Sequence, residues 1–302
     1  MYTSIAITGA AGFIGQHLMR YLQATVPATL LGLDNHKRGQ WGDLSARASP
    51  TLRLVDGDIR EATTVAQAFA GCDLVFHLAA QSNVLGAVAD LEYSFTTNVV
   101  GTFNVLQAAR AAGVRCVVFT SSREVYGEVT ELPVPETAPL RAKNAYGASK
   151  LAGEAYARVF DSAEMRVVIV RLANVYGRGD RDRVIPIFQE RLAQGQPLQL
   201  YDKDKILDFI PVEFVVAALW RAAQVQPTEP INIGSGQATT LEALAQRMVA
   251  LSNTSGQIQA LPSRSTAEVA RFVAQVDRMK TVLGLTPPAP LENLSTLFPP
   301  PP

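Results

Sequence analysis

Cysteine is scarce in this chain, charge of one sign never accumulates, and no apolar run is long enough to cross a bilayer. The two cysteines, Cys72 and Cys116, each lie beside a hydrophobic strand-like run, with the spacing of neither a metal site nor a redox pair. They read as reduced, buried thiols, which excludes a disulfide framework and makes the cytoplasm the expected compartment. Lysine and arginine number 27, as do aspartate and glutamate, so the formal charge is zero. That excludes nucleic acid and membrane surfaces as polyelectrolyte partners, and any phosphate must be bound locally. The N-terminus enters a strand and a glycine turn at once, without the charged region and apolar core of a signal peptide. Internal repeats are lacking too. Histidine is equally sparse: His17 and His36 have no metal-binding companion, and His77 sits inside an apolar run where a satisfied core residue is the simpler reading. No metal is expected.

What the 302 residues do contain is strand alternating with helix, over a length that suits one large domain or two moderate ones. Residues 4–8 form a short apolar run, followed by Gly9, Gly12 and Gly15 in GAAGFIG and then a helical pattern through Leu18, Met19 and Leu22. Gly9 can take a positive φ, Gly12 admits a diphosphate to the backbone, and Gly15 lets helix and strand pack closely. The freed amides and the helix N-terminus favour an anion. A second strand ends at Asp34, 19 residues past Gly15, where a carboxylate would accept hydrogen bonds from an adenosine ribose and favour NAD. Lys37 and Arg38 follow closely and would tolerate the extra phosphate of NADP; Asp34 as a mere turn cap is the bland alternative. Asp58, after the third strand, is either an adenine contact or an N-cap. The fourth strand, 74–78, ends in Ala79 and Ala80, small enough to leave room for a flat cofactor.

From about 88 to 112 a helical pattern runs through Leu91, Phe95, Val99 and Val105, with Gly101 its weak point. Its apolar surface is broad enough to face both the sheet and a second subunit, so a homodimer is expected. The fifth strand delivers Thr120, Ser121 and Ser122 at its C-terminal end, where doubly wound sheets bind ligands. A couple of dozen residues on, Tyr146 and Lys150 stand four apart and share one helix face. A tyrosine accepts a proton near neutral pH only if its pKa falls from about 10 toward 7, about 4 kcal/mol of differential stabilisation. Lys150 is one nearby source of that positive field, and an oxidised nicotinamide ring would be another.

In order, GAAGFIG, Asp34, GDIRE, HLAAQ, NVVGT, FTSSREVYG, YGASK and RLANVYG resemble the extended short-chain dehydrogenase/reductase family, in its sugar-nucleotide epimerase and dehydratase branch. The likeness covers most of the chain. It implies an α/β architecture: a doubly wound parallel Rossmann sheet binding NAD and a smaller mixed α/β C-terminal substrate domain, and the shift to a polar, flexible run at 177–183 puts their boundary near 175, giving 1–175 and 176–302, with some segments crossing back. Ser122, Tyr146 and Lys150 become the catalytic set. Cofactor contacts are implied at Gly9, Gly12, Phe13, Ile14 and Gly15, then at Asp34, Asn35, Asp58 and Ile59. Further ones fall at Leu78, Ala79, Ala80, Asn98 and Thr120, and at Tyr146 and Lys150 themselves. A nucleotide-sugar substrate would meet Gln81, Ser122, Arg123, Asn174, Val184 and Arg271.

The implied chemistry is transient oxidation at sugar C4, with Tyr146 as base, and return of the hydride to invert that centre. Dehydratases of the family follow the catalytic residue with Asp-Glu, and decarboxylases with a small residue and Glu. Here Arg123 and Glu124 stand instead. Glu124 keeps decarboxylation or a second proton transfer open, or else it merely pairs with Arg123 or Arg178. The family's Arg-Asp-Phe-Ile becomes Leu207-Asp208-Phe209-Ile210, which removes one phosphate clamp; Lys203 or Lys205 is a substitute to consider. A sensor or scaffold that binds NAD without turnover is the reading of another class, and the intact catalytic set argues against it. The proline tail at 299–302 is expected to be frayed or extended.

Overall fold

The computed structural model describes residues 1–252, 256–262 and 267–298, so the proline tail lies outside the described residues. The first part of the chain runs through β1 (Ser4–Thr8), α1 (Phe13–Thr25), β2 (Thr29–Asp34), β3 (Leu52–Asp56), α2 (Ala62–Phe69) and β4 (Leu74–His77). It continues with α3 (Val84–Ala89), α4 (Leu91–Phe95), α5 (Gly101–Ala111), β5 (Cys116–Ser122), α6 (Ala145–Phe160) and β6 (Arg166–Leu172). The rest adds β7 (Asn174–Tyr176), α7 (Val184–Ala193), β8 (Leu198–Tyr201), β9 (Ile206–Leu207), β10 (Phe209–Pro211) and α8 (Val212–Val225). Last come β11 (Ile231–Ile233), β12 (Thr239–Thr240), α9 (Leu241–Ser252) and β13 (Ile258–Leu261).

Seven strands form one parallel sheet in the order β11-β6-β5-β4-β1-β2-β3. Both faces are covered, which is why its strands are apolar almost throughout instead of alternating with polar residues. Ile5, Ile7, Phe76 and Val118 face the layer built from α1 and α8. Ala6, Val75, Val117 and Phe119 face α2, α5 and α6. Each valine, isoleucine or phenylalanine among these contributes about 1.5–3 kcal/mol on burial, so helix packing on both faces, more than helix propensity, holds these layers. A smaller third core joins α7, β8 and α9 through Phe188, Leu192, Leu198, Leu200, Leu244 and Met248.

The strand order reverses at β1, and the crevice at the C-terminal ends of β1 and β4 is the place such sheets bind ligands. The second half of the chain crosses back into this layer. β10 pairs with β7, α8 packs on α1, and β11 completes the sheet against β6. The expected single helix from 88 to 112 is interrupted: Asp90 ends α3 and restarts α4 by accepting a hydrogen bond from the Tyr93 amide at 2.9 Å. A π-helical stretch, Thr96–Val100, then joins α4 to α5. Gly101 is where Ile59 packs against the helix, since a Cβ there would stand 2.6 Å from Ile59 Cδ1.

Candidate active site

Along the C-terminal edge of the sheet and into the third core runs one cavity of about 1700 Å³. Its first end is the glycine turn. Gly9 has φ +72°, and a Cβ on it would lie 2.7 Å from the Ala79 nitrogen. A Cβ on Gly15 would fall onto the Gly9 carbonyl oxygen, so helix α1 approaches the strand closely only because both residues lack one. Phe13 and Ile14, with Leu78, Ala79 and Ala80 opposite, line the same crevice. The Asp34 carboxylate is fixed at the end of β2: Oδ2 accepts from the Ala11 amide at 2.9 Å and Oδ1 from the His36 amide at 2.8 Å. This is the cradle that a dinucleotide fits, with amides for the diphosphate and an acid for the ribose.

Arg38 is turned elsewhere. Its guanidinium donates to Ser82 Oγ at 3.1 Å and pairs with Asp182 at 3.0 Å, while Lys37 Nζ lies 5.1 Å from the centre of the Tyr93 ring. Neither basic residue is held for a 2′-phosphate, and NAD is the cofactor that suits the site. Asn35 and Ile59 line the cavity, and Asp58 lies at its edge, in an adjoining recess with Arg60 and Tyr93. Asp58 accepts from Asn35 Nδ2 and from Arg60, and the N-cap of α2 is Glu61. Asn98 stands behind the wall as well. Its amide accepts from the Gln81 backbone at 2.7 Å and donates to Ser149 Oγ at 2.8 Å, so it positions Gln81 and α6 without touching the cavity.

At the middle of the cavity, β5 and α6 bring Ser122, Tyr146 and Lys150 together. Asn144 caps α6 by accepting from the Gly147 amide at 2.8 Å, which fixes Tyr146 in the first turn and Lys150 one turn on. The Ser122 hydroxyl accepts from the Glu124 amide at 3.2 Å and stands close enough to the Tyr146 phenol to stabilise its ionised form. Lys150 Nζ donates to the Thr120 carbonyl at 2.8 Å and lies 6.0 Å from the Tyr146 ring centre. Burial pushes the Tyr146 pKa up, and the Arg183 cation is the largest influence pulling it back, followed by the Ser122 hydroxyl. The largest source of positive field on the phenol is thus Arg183, at the start of α7, with Arg123 adding to it, and not the lysine the spacing points to. Burial lowers Lys150 to about 8, with Glu154 opposing.

Arg123 and Glu124 both line the cavity, and they are also paired with each other, at 3.0 Å with side chains 9% and 4% exposed. The second Glu124 oxygen accepts from Asn144 Nδ2 at 2.7 Å. His77 is a core residue. Thr8 and Thr102 occupy its two ring nitrogens at 2.8 and 2.9 Å, and burial lowers it to about 3, so it stays neutral.

The far end is built by the third core. Gln81, Asn174 and Val184 line the cavity, and Asn174 Nδ2 donates to the Asp208 carbonyl at 3.0 Å. Leu207 lines it where the family pattern has an arginine. Lys205 is there too, but its ammonium pairs with Glu268 at 2.8 Å. Lys203 does not line the cavity, and Arg271, expected on the substrate phosphates, is exposed on a segment bridged to Ile206 and is absent from the wall. Sequence reasoning missed Arg183, Arg191, Gln199 and Tyr201, all of which line the cavity. The alternation Leu198-Gln199-Leu200-Tyr201 carried a usable signal, because it turns two polar side chains away from the core.

The NAD dependent epimerase/dehydratase family matches residues 5–234. A UDP-glucose 4-epimerase of Mycolicibacterium smegmatis is 34% identical over 291 residues, 93% of this chain and 92% of that one. The solved UDP-glucose 4-epimerase of Thermotoga maritima, with UDP-glucose, superimposes with a TM-score of 0.90 at 28% identity, covering 98% and 97% of the two chains. A dTDP-glucose 4,6-dehydratase of Streptomyces venezuelae, solved with NAD, gives 0.91 at 30% identity over 97% and 95%. Among the described residues no helix is long and apolar enough to cross a membrane.

Proposed function

The chain belongs to the NAD-dependent epimerase/dehydratase family, and from that membership we propose that it is a nucleotide-sugar 4-epimerase. The observation that carries this reading is the state of Glu124. Eliminating water or carbon dioxide from a 4-keto sugar needs a further acid or base, free to exchange protons. Beside Ser122 the carboxylate has both oxygens engaged, by Arg123 and by Asn144, and position 123 holds a cation that is itself committed to the pair. The ketone is left with one outlet, its reduction.

NAD bound in the glycine-turn crevice supplies a reversible acceptor for the C4 hydride, which inversion requires to be returned on the other face. Tyr146 Oη takes the proton of the C4 hydroxyl and gives it back. Ser122 Oγ hydrogen-bonds the same oxygen and keeps it within reach of the phenol. Arg183 opposes the burial that raises the phenol, Lys150, cationic below about pH 8, stands one turn on, and the oxidised nicotinamide of bound NAD would add the further positive charge a phenolate needs. Arg123 and Glu124 hold Asn144, and through its cap the turn that carries Tyr146.

Incubation with UDP-glucose, UDP-N-acetylglucosamine, their dTDP counterparts and UDP-glucuronic acid in deuterated water is the test. Inversion at C4 without mass change and without deuterium on carbon is expected. Loss of water or carbon dioxide, or deuterium at C5, would replace this reading with dehydration or decarboxylation. No turnover of any sugar would favour the NAD-binding scaffold.

We further infer that two copies pair, in the cytoplasm, through the face of α3, α4 and α6 on which Leu85, Leu91, Phe95 and Val159 are exposed. Sedimentation at micromolar concentration checks this, and a monomer there ends the inference.

A further inference from the structure

We propose that Arg191 is the anion clamp of the substrate half, holding the phosphates of the nucleotide in place of the arginine that position 207 lacks. The proposal rests on the nucleotide-sugar reading above. A diphosphate brings two negative charges into a far end where Val184, Ile185, Phe188, Leu207 and Phe209 supply much of the wall. It needs a cation there, and those of the described residues can be compared one by one, Arg123 being committed to Glu124. Leu207 offers none, and Arg271 is exposed outside the wall. Lys205 is already neutralised by Glu268. Arg183 pairs with Asp180 at 3.3 Å and serves Tyr146.

Arg178 and Arg181 are exposed at the lip. Their loop is tied to the dinucleotide half, through His17 to the Arg178 carbonyl and through Arg38 to Asp182. Arg191 differs from all of these. It lies on α7 in the cavity wall, and its Nε donates to the Pro197 carbonyl at 2.7 Å, immediately before β8. That bond orients the guanidinium plane and leaves both terminal nitrogens for a ligand. Among the described residues no carboxylate pairs with it. A planar fork held at Nε, with two free Nη donors, is the geometry that grips phosphate oxygens bidentately. Gln199 and Tyr201, from the cavity-facing side of β8, stand in the same wall, where a base attached to that phosphate would have polar partners.

Calorimetric titration of UDP, dTDP and the corresponding nucleosides into the wild type, Arg191→Gln and Arg191→Lys tests the proposal. Arg191→Gln should weaken both diphosphates by roughly tenfold to a hundredfold and leave nucleoside binding unchanged, since charged hydrogen bonds carry that much. Arg191→Lys, which keeps the charge but not the fork, should fall between. Diphosphate affinity unchanged in Arg191→Gln would overturn the clamp while leaving the nucleotide-sugar reading intact. An equal loss of nucleoside and diphosphate, or an equal loss in both variants with a lowered melting temperature, would assign Arg191 to the base or to the fold and overturn it too. A wild type that binds neither diphosphate would sink both readings together.

Discussion

Glu154→Gln is the most informative single change. Glu154 sits on α6 one turn beyond Lys150 and is 1% exposed. Its Oε1 accepts from Ser121 Oγ at 2.6 Å and from Arg171 Nε at 2.8 Å, and its Oε2 accepts from Arg171 Nη2 at 2.7 Å. Arg171, 2% exposed on β6, also donates to Tyr126 Oη and to the Glu136 carbonyl, and Tyr126 Oη donates to Asn232 on β11. Glutamine keeps the shape but replaces one acceptor with a donor, which then faces another donor, Arg171 or Ser121. It also leaves the guanidinium buried without its counter-charge. Breaking such a pair costs about 3–5 kcal/mol. Urea unfolding at neutral pH, followed by circular dichroism, should show a lower midpoint with an unchanged slope. A loss under about 1 kcal/mol would refute the account, because the pair would then be solvated or redundant. Pairing the change with Arg171→Met should recover part of the loss, since the uncompensated charge is then gone.

Three further outcomes are expected. The Lys150 pKa is depressed from 10.5 to about 8 in the fold, so between those values the unfolded chain binds more protons and Lys150 contributes stability that grows with pH. The cofactor-free wild type should therefore gain on Lys150→Met by an amount on the order of 3 kcal/mol as pH rises through that window; parallel stability curves for the two proteins would show the ammonium is not buried. Gly15→Ala drives a methyl onto the Gly9 carbonyl and should weaken NAD binding by at least about tenfold, and a wild-type dissociation constant by titration would contradict the close approach. Tyr146→Phe should lower kcat by roughly a hundredfold to ten-thousandfold with little change in NAD affinity, and full activity would remove the tyrosine as base.

The elements that could be read from the sequence are those whose causes are local. The Gly9 turn, the acid at Asp34 and the helix-face pairing of Tyr146 with Lys150 each follow from a conformational or spacing rule within a few residues. Asp90 was also local, and its capping of α4 was hidden by the apolar run around it. Arg183 illustrates the other kind. The polar run 177–183 looks like a flexible boundary in sequence, yet its last residue, at the start of α7, lines the cavity and acts electrostatically on Tyr146. Arg271 shows the other side, a motif match at a position that the fold leaves exposed outside the cavity wall. Glu124 was poised between pairing and catalysis, and its neighbours Arg123 and Asn144 could be weighed only in three dimensions.

The return of β11 to the main sheet bears on how the protein is made. Until residue 231 has left the ribosome, β6, with Val167, Val168, Ile169 and Val170, is an unpaired and strongly apolar border of an otherwise finished sheet. The nascent chain carries that sticky border while all of α7 and α8 are still being synthesised, so co-translational holding by a chaperone matters most in that interval. For the same reason a fragment ending near residue 175 would retain the glycine turn and the tyrosine but leave β6 open, and is expected to accumulate as aggregate.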